Sequence, residues 1–91
     1  MDPLSRAIKI AGGVSRLAEI IGVGQSAVSN WRSRGTAPEA IHCVAIEQAT
    51  SGAVTCEELR PDEPWRRIPD ETWPNPKGRP VLDFAAIKEA A

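Results

Sequence analysis

The chain has 91 residues, 42% of them hydrophobic, and sets 11 basic against 12 acidic side chains for a net charge of −1. That length holds one small domain with some tail, and the apolar content excludes disorder throughout. No apolar run approaches the roughly 18–20 residues that span a bilayer, and no basic-then-apolar leader opens the chain, so a cytoplasmic protein with no membrane partner is expected.

The first sixty residues read as a string of short helices. Asp2-Pro3 is a start signal, because Asp caps a helix and Pro at the first helical position gives up an N–H that would have no partner there. Leu4, Ala7, Ile8 and Ala11 recur at helical spacing, which predicts a first helix over about 4–11, closed by Gly12-Gly13. A second helix is expected over about 14–21, with Leu17, Ala18 and Ile21 inward. Gly22-Val23-Gly24 interrupts it, and a third helix follows over about 25–33, with Val28 and Trp31 as its inward pair and Gly35 as its stop.

Thr36-Ala37-Pro38-Glu39 fits a Thr cap with Glu three residues on, so a fourth helix is expected from there through Ala49. It carries Ala40, Ile41, Cys43, Val44, Ala45, Ile46 and Ala49, and is apolar nearly all round; such a helix is central to a fold or lies at a subunit contact. Thr55-Cys56-Glu57-Glu58 repeats the capping pattern, with Pro61 limiting that helix to one or two turns anchored by Leu59. Cys43 and Cys56 are too few for a disulfide framework or a zinc site and read as small buried hydrophobes.

Residues 61–80 hold six of the eight prolines and two of the three tryptophans. Proline at that density predicts an extended, polyproline-like segment, and Trp65 and Trp73 imply that it lies on something. Residues 81–91 fit a short terminal helix. The expected architecture is therefore all-α: a four-to-five-helix domain over 1–60, then a Pro/Trp-rich extended tail over 61–91 that serves dimerisation or a partner. Trp65 is expected to pack back on the helices. Trp65-Arg66-Arg67 also fits a basic arm on DNA, and Leu82, Phe84 and Ile87 would anchor a dimer.

Charge is unevenly spread. Residues 1–35 carry Arg6, Lys9, Arg16, Arg32 and Arg34 against Asp2 and Glu19, a surplus of three positive charges. Residues 36–60 carry Arg60 against four glutamates, a deficit of three. A basic segment backed by an acidic one can meet a polyanion despite a small net charge.

The basic segment contains Val14 to Ser33, where a helix-turn-helix makes demands at fixed spacings. Ala18 is small at the close approach, Gly22 tolerates the turn four residues later, Val23 fills the gap, and Leu17, Ile21, Val28 and Trp31 close the core. With Val28 and Trp31 inward, the outer stripe of the third helix is Gln25, Ser26, Ser29, Asn30 and Ser33. Amides pair bidentately with the N6/N7 edge of adenine and hydroxyls serve any base, so these five are the candidate base readers. Arg32 and Arg34 reach for phosphates, while Gly13, Val14, Ser15 and Arg16 offer a helix start with open N–H groups.

Gly22 to Trp31, G-V-G-Q-S-A-V-S-N-W, resembles Cro- and CI-type phage repressors. Ala45 to Asp62, A-I-E-Q-A-T-S-G-A-V-T-C-E-E-L-R-P-D, is similar to the YdaS/Cro-like family of prophage regulators. The resemblance covers about residues 4–65. It implies a compact helical domain, usually dimeric, that binds a palindromic double-stranded operator and represses transcription. It also implies that Gln25, Ser26, Ser29 and Asn30 touch base edges. Some relatives replace the C-terminal helices with a β-hairpin, but Pro61 and the capping boxes favour helix here. An antitoxin-type protein whose tail binds a protein partner is the alternative.

Other chemistry finds little support. The chain has one histidine, His42, with only Cys43 beside it, and adjacent helical residues point apart, so no metal or other cofactor is expected. No nucleophile has an evident base partner, and no enzyme is expected.

Overall fold

The computed structural model describes residues 2–84. It contains α1 (Pro3–Ala11), α2 (Val14–Ile21), α3 (Gln25–Arg34), α4 (Ala40–Ala49) and α5 (Cys56–Leu59). These are followed by two antiparallel strands, β1 (Trp65–Ile68) and β2 (Arg79–Leu82).

The short-range signals behave as the sequence predicts. Asp2 Oδ1 accepts the Ser5 N–H at 2.9 Å, with Pro3 opening α1. Gly22 closes α2 at φ 78, a left-handed conformation that strains any residue with a Cβ. Thr55 and Glu58 form the full reciprocal capping box of α5, and Leu59 is buried beneath it. The core joins Leu4, Ala7 and Ile8 of α1, Leu17 and Ala18 of α2, and Val28 of α3 to Cys43, Ile46, Val54, Cys56 and Leu59. Cys43 and Cys56 are thus structural. Burial pushes the Cys43 thiol up to about 12 and raises that of Cys56 as well, so neither is a ready thiolate.

Four expectations are corrected. The fold is not all-α, because the segment after Pro61 forms a hairpin with Trp65 opposite Leu82 and Ile68 opposite Arg79. Proline does not prevent this: Pro80 sits on β2 opposite Arg67, and in a two-stranded sheet each strand has an outward edge where a missing N–H costs no ladder bond. Gly78 makes the return possible at φ 99, where a Cβ would collide with the Ile68 carbonyl. Helix and hairpin are also not alternatives here, since α5 forms and β1 follows it. Val81 and Leu82 belong to β2 rather than to a terminal helix, and Ile87 lies outside the described residues.

The fourth correction is the start of α4. Glu39 is its N-cap, without a side-chain hydrogen bond, and the Thr36–Glu39 box does not form. Pro38 is fully buried, and its carbonyl accepts from Cys43 Sγ at 3.5 Å and from Arg60 Nη1 at 3.1 Å. Those contacts hold the loop extended past Thr36, so the helix begins one residue after Glu39.

The hairpin is fastened to the helices by an ionic network around Glu47, which is 0% exposed. Arg67 Nη1 and Nη2 donate to its two carboxylate oxygens at 2.6 Å each. Trp73 Nε1 donates at 2.5 Å and the Cys56 N–H at 3.0 Å. Arg67 also donates to Glu57 through Nε at 3.0 Å and Nη2 at 2.6 Å, and to the Gly78 carbonyl through Nη1 at 2.8 Å. All five guanidinium donors are therefore used. Trp65 packs on the core as expected, with its Nε1 donating to the Arg60 carbonyl at 2.8 Å.

Burial raises the Glu47 carboxyl, but the hydrogen bonds from Arg67, Trp73 and Cys56 prevail and hold it below its ordinary value of 4.5. The Arg67 guanidinium lowers Glu57 likewise. A depressed folded-state value gives stability that is complete above the ordinary value and is lost as pH falls through the depressed one. The urea midpoint is therefore expected to hold between about pH 7 and 5 and to fall on further acidification; a midpoint that rises below pH 4.5 would contradict the network. Arg67→Ala strands a buried carboxylate and should cost about 3–5 kcal/mol in urea unfolding. Arg66→Ala, at a side chain 66% exposed, should stay within about 0.5 kcal/mol. Equal effects of the two would remove Glu47 from the account.

Candidate nucleic-acid interface

The site is built on α2 and α3. Ala18 accepts the amides of Gly22 at 2.9 Å and Val23 at 3.0 Å, which turns the chain sharply between the two helices. Leu17 and Val28, both fully buried, join α2 to α3 from beneath, and Ile21, Val23 and Trp31 pack on the same core half-buried. Trp31 is a support and not a platform for bases: its ring lies 5.6 Å from that of His42 on α4, tilted by 39°. Core packing on one side of α3 fixes which side faces solvent.

On the outer side, Gln25, Ser26, Asn30 and Ser33 are exposed and Ser29 is half-buried. Together they form one uncharged stripe of hydroxyls and amides. Gly13 is half-buried, Ser15 and Arg16 are exposed, and the Val14 side chain is spent on the core, leaving only its backbone to a ligand. Neither α2 nor α3 has a side-chain N-cap. The first-turn N–H groups of α2 and those of Gln25 and Ser26 on α3 therefore remain open to an anion. The Ala27 amide instead donates to the Gly24 carbonyl at 3.0 Å, and the Gly13 amide, expected to be open, donates to the Ile8 carbonyl at 2.9 Å.

Ion pairing narrows which of the basic residues in this half of the chain are free. Arg6 Nη2 donates to both oxygens of Glu58 at 2.9 Å, tying α1 to α5. Arg16 lies 3.6 Å from Glu19, both well exposed, a pair of the weak surface kind. Among the described residues, Lys9, Arg32 and Arg34 enter no ion pair. Arg32 and Arg34, in the last turn of α3, are thus long cations free to meet a phosphate. The tail offers no such arm at Arg67, whose side chain is 12% exposed and wholly committed to Glu47 and Glu57.

Sequence reasoning missed the residues that support this face from behind. Glu47 is the only charged residue in A-I-H-C-V-A-I-E-Q-A, and a lone acid on an otherwise apolar helix was the available signal. Arg60 is the other omission: its guanidinium bridges Asp62, Glu63 and the Pro38 carbonyl, which fixes the loop leaving α3.

Comparison with known proteins agrees with this architecture. The family described as "Bacterial toxin YdaS" matches residues 4–68. The chain belongs to the YdaS family. It is 43% identical over 60 residues to the "Putative transcriptional regulator YdaS" of Escherichia coli strain K12, an alignment that takes in 66% of this chain. The chain spans 61% of the length of that curated relative. A solved structure, the Cro protein from a prophage element, Xfaso 1, of Xylella fastidiosa strain Ann-1, is 53% identical with a TM-score of 0.64. That match covers 68% of this YdaS-family chain and 94% of the Cro chain. None of the described helices is long and apolar enough to cross a membrane.

Proposed function

We propose that this YdaS-family protein is a sequence-specific repressor that binds a palindromic DNA operator as a homodimer. One observation carries the reading: the outward stripe of α3 is rich in hydrogen-bonding groups and free of charge, on a helix locked from below by Val28 and Trp31. A helix face shaped only by solvation would carry Glu and Lys. Gln25 and Asn30 match adenine, and Ser26, Ser29 and Ser33 serve the remaining edges. Val14 to Arg16 present open N–H groups to one phosphate, and Arg32 and Arg34 grip others. The relatives named as a transcriptional regulator and a Cro protein support the same role. Work on DNA in the cytoplasm needs neither a cofactor nor enzymatic chemistry.

One recognition helix makes too few contacts for useful specificity. Two copies with reading helices about 34 Å apart would engage successive major grooves. Ile41 on α4, 71% exposed, and Phe84, 65% exposed, are the large apolar side chains on the elements expected to form the contact. A tail that wraps a protein partner, as in an antitoxin, would need its tryptophans free, whereas Trp65 and Trp73 are engaged by the Arg60 carbonyl and Glu47. That favours the repressor.

Binding is measured by fluorescence anisotropy on an operator selected from a random duplex pool and on a scrambled duplex. Gln25→Ala and Asn30→Ala should each weaken operator binding by about 1–3 kcal/mol and leave scrambled binding unchanged; equal losses on both would end the base-reading assignment. Arg32→Ala should weaken both and lower the salt slope by about one, and an unchanged slope would take it off the phosphate list. By sedimentation equilibrium the protein should be a dimer at micromolar concentration, and Ile41→Glu, at an exposed site, should shift it toward monomer. A monomeric unsubstituted chain bound to a single half-site would overturn the dimer.

A further inference from the structure

A cavity of about 310 Å³ opens where the end of α3 meets the start of α1 and the short helix α5. Leu4, Leu59 and Trp31 give it apolar walls, Arg32 enters from α3, and Asp2 and Glu58 enter from α1 and α5. Glu58 is offset by the bidentate Arg6. Arg32 has no ion-pair partner among the described residues, and Asp2 there accepts only from the amide and hydroxyl of Ser5. The Ser5 amide keeps the Asp2 carboxyl below its usual range, so it is charged at neutral pH. One cation and one carboxylate, neither in an ion pair among the described residues, thus border a single apolar space.

We propose that this cavity binds a small zwitterion with an apolar body, of the class of α-amino acids with a large apolar side chain. The ligand carboxylate meets Arg32, its ammonium meets Asp2, and its side chain lies against Leu4, Leu59 and Trp31. A simple anion would gain Arg32 but face Asp2 and Glu58, and a simple cation would leave Arg32 unused. Ligand pockets run from about 300 to 1,000 Å³, so this one stands at the small end and suits a single amino acid better than a nucleotide. Arg32 held by a ligand is withdrawn from phosphate, which would couple the ligand to DNA affinity. That coupling rests on the repressor reading, whereas occupancy of the cavity does not.

Isothermal titration of the full chain, without DNA, tests occupancy directly. The ligands are L-leucine, L-phenylalanine and L-tryptophan, with 2-phenylethylamine and 3-phenylpropionate as analogues lacking one charge each. At least one amino acid should give saturable heat, and each analogue should bind about tenfold more weakly than phenylalanine, as expected for the loss of one charged hydrogen bond. Asp2→Asn keeps the helix cap through its amide oxygen while removing the charge, and Arg32→Ala removes an exposed side chain. Each should weaken binding about tenfold with the urea midpoint preserved. No saturable heat at millimolar amino acid, analogues as tight as the parent, or affinity unmoved by both substitutions would overturn the proposal. A DNA-free titration succeeds or fails independently of whether the protein reads an operator.

Discussion

A carboxylate sealed from water inside a helical domain must be answered in full, and the packing of this protein is arranged around that demand. Glu47 accepts four hydrogen bonds, from Arg67 twice, from Trp73 and from the Cys56 amide. Each donor comes from a different element: the start of α5, the strand β1, and the loop between the strands. Satisfying one side chain therefore fixes the relative position of all of them. The same contacts explain why a proline-rich segment becomes a docked hairpin. Arg67 must face α4, Trp73 must return to the same carboxylate, and Gly78 must turn the chain so that its carbonyl can take a further donor from Arg67. Removing either partner would leave a buried charge, which costs more than the pair itself contributes.

The outer face of α3 is braced by this arrangement without touching it. α4 carries Glu47 near one end and His42, which meets the Trp31 ring, near the other. Arg60, just after α5, anchors the loop between α3 and α4 through the Pro38 carbonyl. The helix that presents Gln25, Ser26 and Asn30 is thus supported by core contacts from α2 and from α4. The proposed discrimination of base edges would need a backbone fixed to a fraction of an ångström, and short polar side chains add little motion of their own.

What the sequence disclosed follows the range of the interactions. The boundaries of α1, α2, α3 and α5 are set by neighbours within four residues, such as Asp2 with Ser5, Gly22 with Ala18, and Thr55 with Glu58, and they were readable. So was the outward stripe of α3, because Val28 and Trp31 fix its phase; within it Ser29 is half-buried rather than open. The start of α4 was misread because a contact 22 residues away, Arg60 to Pro38, outweighs the local Thr36–Glu39 pattern. The hairpin was misread for the same reason: its partners lie 20 and 26 residues upstream of Arg67 and Trp73, on a helix where a single Glu looked incidental. The family match to residue 68 ends where β1 ends, so the resemblance reaches the strand that carries Arg67.

The separation between Glu47 and its answering cation has a temporal side as well. A ribosome delivers α2 and α3 early, and the carboxylate on α4 soon after, but Arg67 follows 20 residues behind it and Trp73 26. Until that stretch clears the exit tunnel, a closed helical core would have to trap an unmatched charge, so the nascent domain stays loose and hydrated. Vectorial synthesis hands over α3 before the contacts that support it, so the orientation of that helix is settled only in chains that have been finished.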